Sequence, residues 1–395
     1  MVLMMGFVFV LSNYPISFAG DSKIKTPAER YFDLVDQAMD CTQAQMVRIT
    51  ASAEQAAKIV VSGGRILSGG SQDGFFVESF SRAGGLMGLK RFGRRIPPEN
   101  TVVLYAAPGV LTSKDAEMIK KLRENKVMVV VFATDKSAGK DVKTTSNGII
   151  DSGSGFNLKV GDKICPVDTV SNVINLWVWT GEFVAACTRA GKMPAMYESV
   201  GMPNGRTRNG KYSREKIFHD DVKVKPVVAG VLGKAYLTEI RNILKSVRKN
   251  EIHAIKQTAD IWKRYPSDKV LIVGTGHLFP YNLKDPRAPQ RGIAIQGNHE
   301  EEINDDLVIP DFVLFVGYQF PPELLLEQMR EIPFKMVYFT VKPGKQNKSA
   351  IYFNPRWPMT DSCVKVPGYD VPICPSSGVI DAVIYWAIMA QMEKK

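Results

Sequence analysis

Two places in the 395-residue chain set a titratable side chain beside a glycine-rich turn. In the first, Ser68-Gly69-Gly70-Ser71-Gln72 precedes Glu78 by about two helical turns. In the second, Gly274-Thr275-Gly276 runs directly into His277. A glycine-rich turn feeding a helix start exposes backbone N–H groups and a partial positive charge, and nearby hydroxyls add donors for anionic oxygens. Ser68, Gly69, Gly70, Ser71, Gln72 and Thr275 are therefore the candidate substrate-binding residues. A carboxylate with an imidazole is a common pair for moving a proton on a bound ligand, which makes Glu78 the candidate base and His277 the candidate proton donor. Each has a bland alternative: turns need glycine whatever they bind, and one Glu on a helix usually faces water.

After the Glu78 helix, the basic cluster Lys90, Arg91, Arg94 and Arg95 either supplies charge to an anionic ligand or simply solubilises an edge. The remaining histidines, His219, His253 and His299, lack partners at metal-ligand spacing, so neither a metal nor another cofactor is expected. Cys41, Cys165, Cys187, Cys363 and Cys374 are odd in number and include no CxxC pair, which argues against zinc ribbons and disulfide frameworks and for small buried side chains. The acidic run from His299 to Asp306 reads as a solvated loop, with a wall or lid over a ligand as the alternative.

The elements that would position these residues alternate. Thr26-Pro27-Ala28-Glu29 is a helix start, and apolar residues from Phe32 to Ala53 recur at helical spacing until Ser62-Gly63-Gly64. A short strand Arg65–Leu67, the Ser68 to Asp73 loop and a helix through about Arg82 follow. Val102–Ala106 and Val127–Ala133 are uninterrupted apolar strands flanking an amphipathic helix at 113–125, the pattern of a parallel sheet covered on both faces. Ligands in such sheets sit at the carboxyl ends of the strands, where the Ser68 to Asp73 loop would lie.

The plan then restarts. A second long helix is expected at 237–265, strands at 269–273, 312–316 and 335–340, and a helix at 322–330. Ile164-Cys165-Pro166 and Ile373-Cys374-Pro375 each open an apolar helix, with Trp177 and Trp386 at matching distances beyond the prolines, which signals duplication. The expected domains are 20–202 and 237–395, joined by a linker at 203–236.

The residues resemble a known family, the SIS (sugar isomerase) domains. The resemblance is carried by Gly64-Arg65-Ile66-Leu67, the Gly-Gly-Ser-Gln loop at 69–72, and Glu78 with Ser81-Arg82-Ala83-Gly84-Gly85-Leu86. It continues in Val273-Gly274-Thr275-Gly276-His277 and in the helix starts at Pro166-Val167-Asp168-Thr169 and Pro375-Ser376-Ser377-Gly378. It implies an α/β fold of two three-layer, parallel-sheet, flavodoxin-like domains in pseudo-symmetric tandem. It also implies a small-molecule sugar or sugar phosphate as ligand and, where catalysis survives, isomerisation by proton transfer. The chain departs from the family at the second turn, which reads Ala106-Ala107-Pro108-Gly109 in one half and Gly317-Tyr318-Gln319-Phe320 in the other, without the usual serines. Pro280, Pro286 and Pro289 also forbid a regular helix after His277. At most one intact site is expected, in the first half. An enzyme and a sugar-binding protein without turnover both fit.

Composition excludes less. With 45% apolar and 23% charged residues the chain is an ordinary globular one, which rules out coiled coil and wholesale disorder. A net charge of +11 suits several anionic partners. The basic stretch Arg206 to Lys216 fits an interdomain crossing better than a nucleic-acid surface, so no nucleic-acid partner is expected. Val2–Leu11 followed by Ser17-Phe18-Ala19 resembles a signal peptide cut after residue 19, although no basic residue precedes it; export or a cytoplasmic protein with an apolar arm both remain open. No later segment is apolar enough for a membrane span, and assembly with further copies of the chain is left open.

Overall fold

Helix α1 (Pro27–Ala44) starts where the capping sequence requires. The Thr26 hydroxyl accepts from the Glu29 N–H, and the Glu29 carboxylate accepts from the Thr26 N–H at 2.7 Å. The expected single long helix is broken at Gln45 (φ −93°, ψ 5°), after which α2 (Met46–Val61) begins. Gln45 is held there by strand β5 (Ile149–Asp151): its amide accepts from Asp151 N–H at 2.7 Å and donates to Asp151 O at 3.1 Å. This is a computed structural model, and it describes residues 25–135, 149–212, 216–275, 285–296, 310–328, 331, 333–344 and 350–393. The apolar N-terminal run, His277 and the acidic run at 299–306 lie outside those residues.

Strand β1 (Arg65–Gly70) is longer than expected, because Ser68, Gly69 and Gly70 continue the ladder. It pairs in parallel with β3 (Thr101–Ala106) through Gly70 opposite Ala106. A side chain at residue 70 would sit 2.1 Å from the Ala106 carbonyl oxygen, and φ is +124°, so only glycine closes the strand there. With β2 (Lys90–Arg91), β4 (Met128–Ala133) and β5 the first sheet has the order β2-β1-β3-β4-β5, every pair parallel.

The second sheet repeats the plan. It uses β8 (Val270–Gly274), β9 (Ile293–Gln296), β10 (Phe312–Val316), β11 (Lys335–Phe339) and β12 (Ala350–Phe353), in the order β12-β11-β10-β8-β9, again all parallel. Each sheet is followed in sequence by an antiparallel hairpin: β6 (Leu158–Val160) with β7 (Lys163–Cys165), and β13 (Ser362–Val364) with β14 (Ile373–Pro375).

Alternate strand residues face opposite ways. Val103, Tyr105, Val129 and Val131 meet α4 (Ser113–Glu124) on the outer face, while Val102, Leu104, Val130 and Phe132 join a core that continues into the second half. That shared core is built on α5 (Asp168–Arg189) and α9 (Ser377–Met392), which follow the two hairpins and are buried all round. Around them pack α1, α2 and α7 (Val231–Trp262), with α1 of the first half set against α9 of the second. The sixth helix is a short crossing piece, Gly205–Lys211, and the eighth, Glu323–Gln328, covers the second sheet's outer face.

The duplication extends to single hydrogen bonds. Tyr31 of α1 donates to Pro166 O at 2.7 Å, and Tyr236 of α7 donates to Pro375 O at 3.0 Å, so each long helix is pinned to its own half's cysteine-proline corner. Asn157 accepts from the N–H groups of Val167 and Asp168, and Asp361 accepts from those of Ser376 and Ser377. These are the first orphan donors of α5 and α9. All five cysteines are free, and none of the helices is long and apolar enough to cross a membrane among the described residues.

Candidate functional site

The carboxyl ends of the two sheets carry the same parts in different states. At the first end, Ser68 and Gln72 are occupied in holding the turn. Ser68 Oγ accepts from Ser79 Oγ at 2.8 Å, and both are buried. The Gln72 side chain donates to Thr169 O at 3.1 Å and accepts from Asn172 at 2.7 Å, locking the turn to α5. Gly70 and Ser71 face solvent. The Ser71 hydroxyl bonds Asp115, whose carboxyl is pushed up by burial but held below the usual range overall by hydrogen bonds from Tyr105, Thr112 and Ser71.

Into this end reaches Arg287, from the second half. Its guanidinium spans Asp168 at the start of α5, with Nη1 at 2.8 Å and Nη2 at 3.1 Å, and also binds Asp285. It lies over the turn after β3, where a Cβ on Gly109 would come within 2.8 Å of Nη1. Asp168 is fully buried, whereas the Arg287 side chain keeps 31% exposure.

The second end receives Arg82 from the first half in mirror fashion. Arg82 Nη2 donates to Ser377 Oγ at 2.6 Å and to Asp361 Oδ2 at 3.1 Å, and Tyr318 OH donates to the same carboxylate oxygen at 3.1 Å. Gln319 donates to Ser199 Oγ at 2.8 Å and to Met359 O, filling the space at the second turn. Thr275 bonds Val316 O through both its N–H, at 2.9 Å, and its hydroxyl, at 3.3 Å.

Glu78 belongs to this second cluster. The helix that carries it, α3 (Phe75–Ser79), has five residues and stops short of Arg82, the expected end. Its carboxylate is fully buried, accepts from Trp177 Nε1 at 3.4 Å and lies 3.6 Å from Arg82 Nε. It rests on the first turn of α9, where a Cβ on Gly378 would be 2.4 Å from Oε1. Burial pushes its pKa up to about 7, opposed by Arg82 and reinforced by Asp361. Asp381, one turn further along α9, accepts from Trp357 Nε1 at 3.3 Å and is also pushed well up by burial. The other oxygen of each carboxylate, Glu78 Oε2 and Asp381 Oδ2, and Arg82 Nε have no hydrogen-bond partner among the described residues.

A groove of about 520 Å³, lined in part by Ala57, Val61 and Ala190, opens where α2 and α5 finish. That is the amino end of the first sheet, opposite the turn, so it plays no part here. No group of three or more His, Cys, Asp or Glu side chains is placed to hold a metal among the described residues.

No protein-family model matches the chain, and no curated protein matches its sequence. Solved structures do. The C-terminal domain of glucosamine-fructose-6-phosphate aminotransferase from Francisella tularensis aligns with a TM-score of 0.53 at 10% identity, covering 94% of this chain and 95% of that one. A protein from Silicibacter pomeroyi described as a candidate phosphosugar isomerase aligns with a TM-score of 0.51 at 11% identity, over 92% and 97% of the two chains. A candidate sugar-binding protein from Salmonella typhimurium gives 0.51 and 11%, over 92% and 98%. The fold is that of a tandem SIS pair. Within that fold, each half of the chain sends one arginine into the other.

Local pattern marks the turn and Glu78 but not the crossing arginines, nor Asp361 and Asp381. A signal for the arginines existed: each lies in the segment following the first long strand of its half, Arg82 after β1 and Arg287 after β8. Nothing local marks either as reaching across.

Proposed function

We propose that the protein binds a sugar or sugar phosphate at the carboxyl end of its first sheet. The observation that carries this reading is the contrast in closure. Gly70, Ser71 and the Arg287 guanidinium border solvent at the first end, while Glu78, Arg82 and Asp361 at the second are at most 1% exposed. An anionic ligand oxygen would compete with Asp168 and Asp285 for Arg287, the turn N–H groups would supply further donors, and the Ser71 oxygen, its proton donated to Asp115, would accept from a sugar hydroxyl. The fold is one in which named neighbours handle sugars, which supports the ligand class by analogy. Thermal unfolding with hexose and amino-sugar phosphates tests it. A ligand at 100 times its Kd stabilises the native state by about 2.7 kcal/mol, and Arg287→Ala should remove most of that shift. No shift with any probe, or an equal shift in the variant, overturns the reading.

A second reading, sugar isomerisation with Glu78 as base and His277 as acid, is favoured by one observation: a carboxyl pushed up to about 7 is matched to proton transfer near neutrality. The carboxylate faces the second half's α9, so its substrate would have to enter the closed end. Interconversion of hexose phosphates that persists in Glu78→Gln would eliminate that role.

A further inference from the structure

The parallel register places a basic strip beside the open end. Leu67 pairs with Lys90 and Ser68 with Arg91, and the Phe92 N–H continues the ladder to Ser68 O at 2.8 Å. Residues 93–95 therefore emerge past the carboxyl end of β1, next to Gly70 and Ser71. Arg94 and Arg95 are exposed. So is Lys114, in the first turn of α4, next in sequence to the Asp115 that Ser71 bonds. None of these three cations has a carboxylate partner among the described residues, whereas Arg189, Arg208, Arg241 and Arg248 each have one. The nearby acids do not cancel the strip: Asp115 is spent on Tyr105, Thr112 and Ser71, which leaves Asp73 in the turn.

Flat apolar surface adjoins this charge. Phe76 and Phe80 stack with centroids 5.0 Å apart and planes at 25°, and both keep partial exposure. The Arg91 guanidinium lies over Phe76 at 5.4 Å. Both residues come within eight positions of Gln72, and the Arg91 contact sets the Phe76 ring beside β2.

From this juxtaposition we infer that the ligand of the first end is a sugar carried on a nucleoside diphosphate. This deepens the sugar-binding reading above and rests on it. Unpaired exposed cations repel one another, and a diphosphate supplies the charge density that three of them match better than a single phosphate does. A sugar monophosphate has no flat π-face to cover the Phe76 and Phe80 stack, while a nucleobase stacks on aromatic rings and on guanidinium planes. The sugar would lie toward Ser71 and Arg287, the phosphates on Arg94, Arg95 and Lys114, and the base against the phenylalanines.

The test is calorimetric titration of the full chain at low and moderate salt with uridine diphosphate glucose, adenosine diphosphate glucose, glucose 6-phosphate and inorganic pyrophosphate. One of the nucleotide sugars should bind at least tenfold tighter than glucose 6-phosphate, with affinity falling steeply as salt rises. The double variant Arg94→Ala, Arg95→Ala should weaken that binding about tenfold and flatten the salt dependence. Phe80→Leu should weaken the nucleotide sugar severalfold and leave pyrophosphate unchanged. Because these side chains are exposed or half-buried, native thermal unfolding of the variants is expected and is checked alongside. Glucose 6-phosphate binding as tightly as either nucleotide sugar overturns the inference and leaves the sugar-phosphate reading standing. Binding by none of the probes overturns both.

Discussion

The two ends of this pseudo-symmetric molecule receive the same gift, an arginine from the opposite half, and put it to different use. At the first end Arg287 bridges two aspartates at the edge of solvent, and Asn157, a neutral side chain, caps α5. At the second, Arg82 is enclosed among Glu78, Asp361 and Ser377, and the α9 cap is the carboxylate of Asp361. The N–H groups that a phosphate would use at the second end are thus taken by the chain's own anion. One duplicated frame has yielded an end that stays open and an end that works as an interior joint between the halves.

Removing the arginines should break this comparison most visibly. Arg82→Ala leaves buried carboxylates without their cation and is expected to cost about 3–5 kcal/mol. Arg287→Ala removes a part-exposed pair with Asn157 still bonded to Asp168, and about 1–2 kcal/mol is expected after allowing for solvent screening. Urea unfolding of both variants measures the difference, and equal losses would mean that the two ends are not distinct in kind.

The next effect sharpens the second end through pH. Glu78 has its folded pKa raised to about 7 from a reference of 4.5, so the native state holds a proton that the unfolded chain releases earlier. Stability from this group is complete below about pH 4.5 and is lost as pH rises through 7, by up to about 3 kcal/mol. Glu78→Gln, which keeps the shape of the protonated acid, should flatten that slope, while wild type and variant converge in acid. Arg82, Asp361, Asp381 and Tyr236 act on the group electrostatically, Tyr318 acts on Arg82 and Asp361, and the Trp177 indole bonded to Glu78 gives a fluorescence report of the same titration. A pH-independent difference between the two proteins would remove the assignment.

The smallest effect compares the paired tryptophans. Trp177 and Trp386 are both buried, but among the described residues Trp177 Nε1 has a hydrogen-bond partner and Trp386 Nε1 has none. Trp177→Phe should cost about 1 kcal/mol more than Trp386→Phe, since the latter removes an unsatisfied buried donor along with apolar area. Chemical denaturation side by side reads this, and the reverse order would contradict the placement of Glu78 against Trp177.

Much of the frame was legible because it depends on local pattern. The apolar runs at 102–106 and 128–133 could only be strands buried on both faces, and the matched Ile-Cys-Pro corners announced two halves. Boundaries failed where a distant contact overrode local preference. The break at Gln45 is made by Asp151, and β1 runs through its glycines because Ala106 offers them a partner. The second long helix starts at Val231 rather than 237, and the one expected from 322 starts at Glu323.

The site divides the same way. Periodicity and turn chemistry determined that a glycine-rich turn closes the first strand and that Glu78 follows it. Which way Glu78 faces was decided by a glycine 300 residues further on, since only Gly378 leaves room for a carboxylate on the first turn of α9. Likewise no pattern around Arg82 or Arg287 tells that each crosses to the other half, because electrostatic partnership depends on distance in space and the partners are brought near only when two cores become one. The sequence by itself specified two copies of a fold; their packing against each other made one copy's end a joint and left the other open.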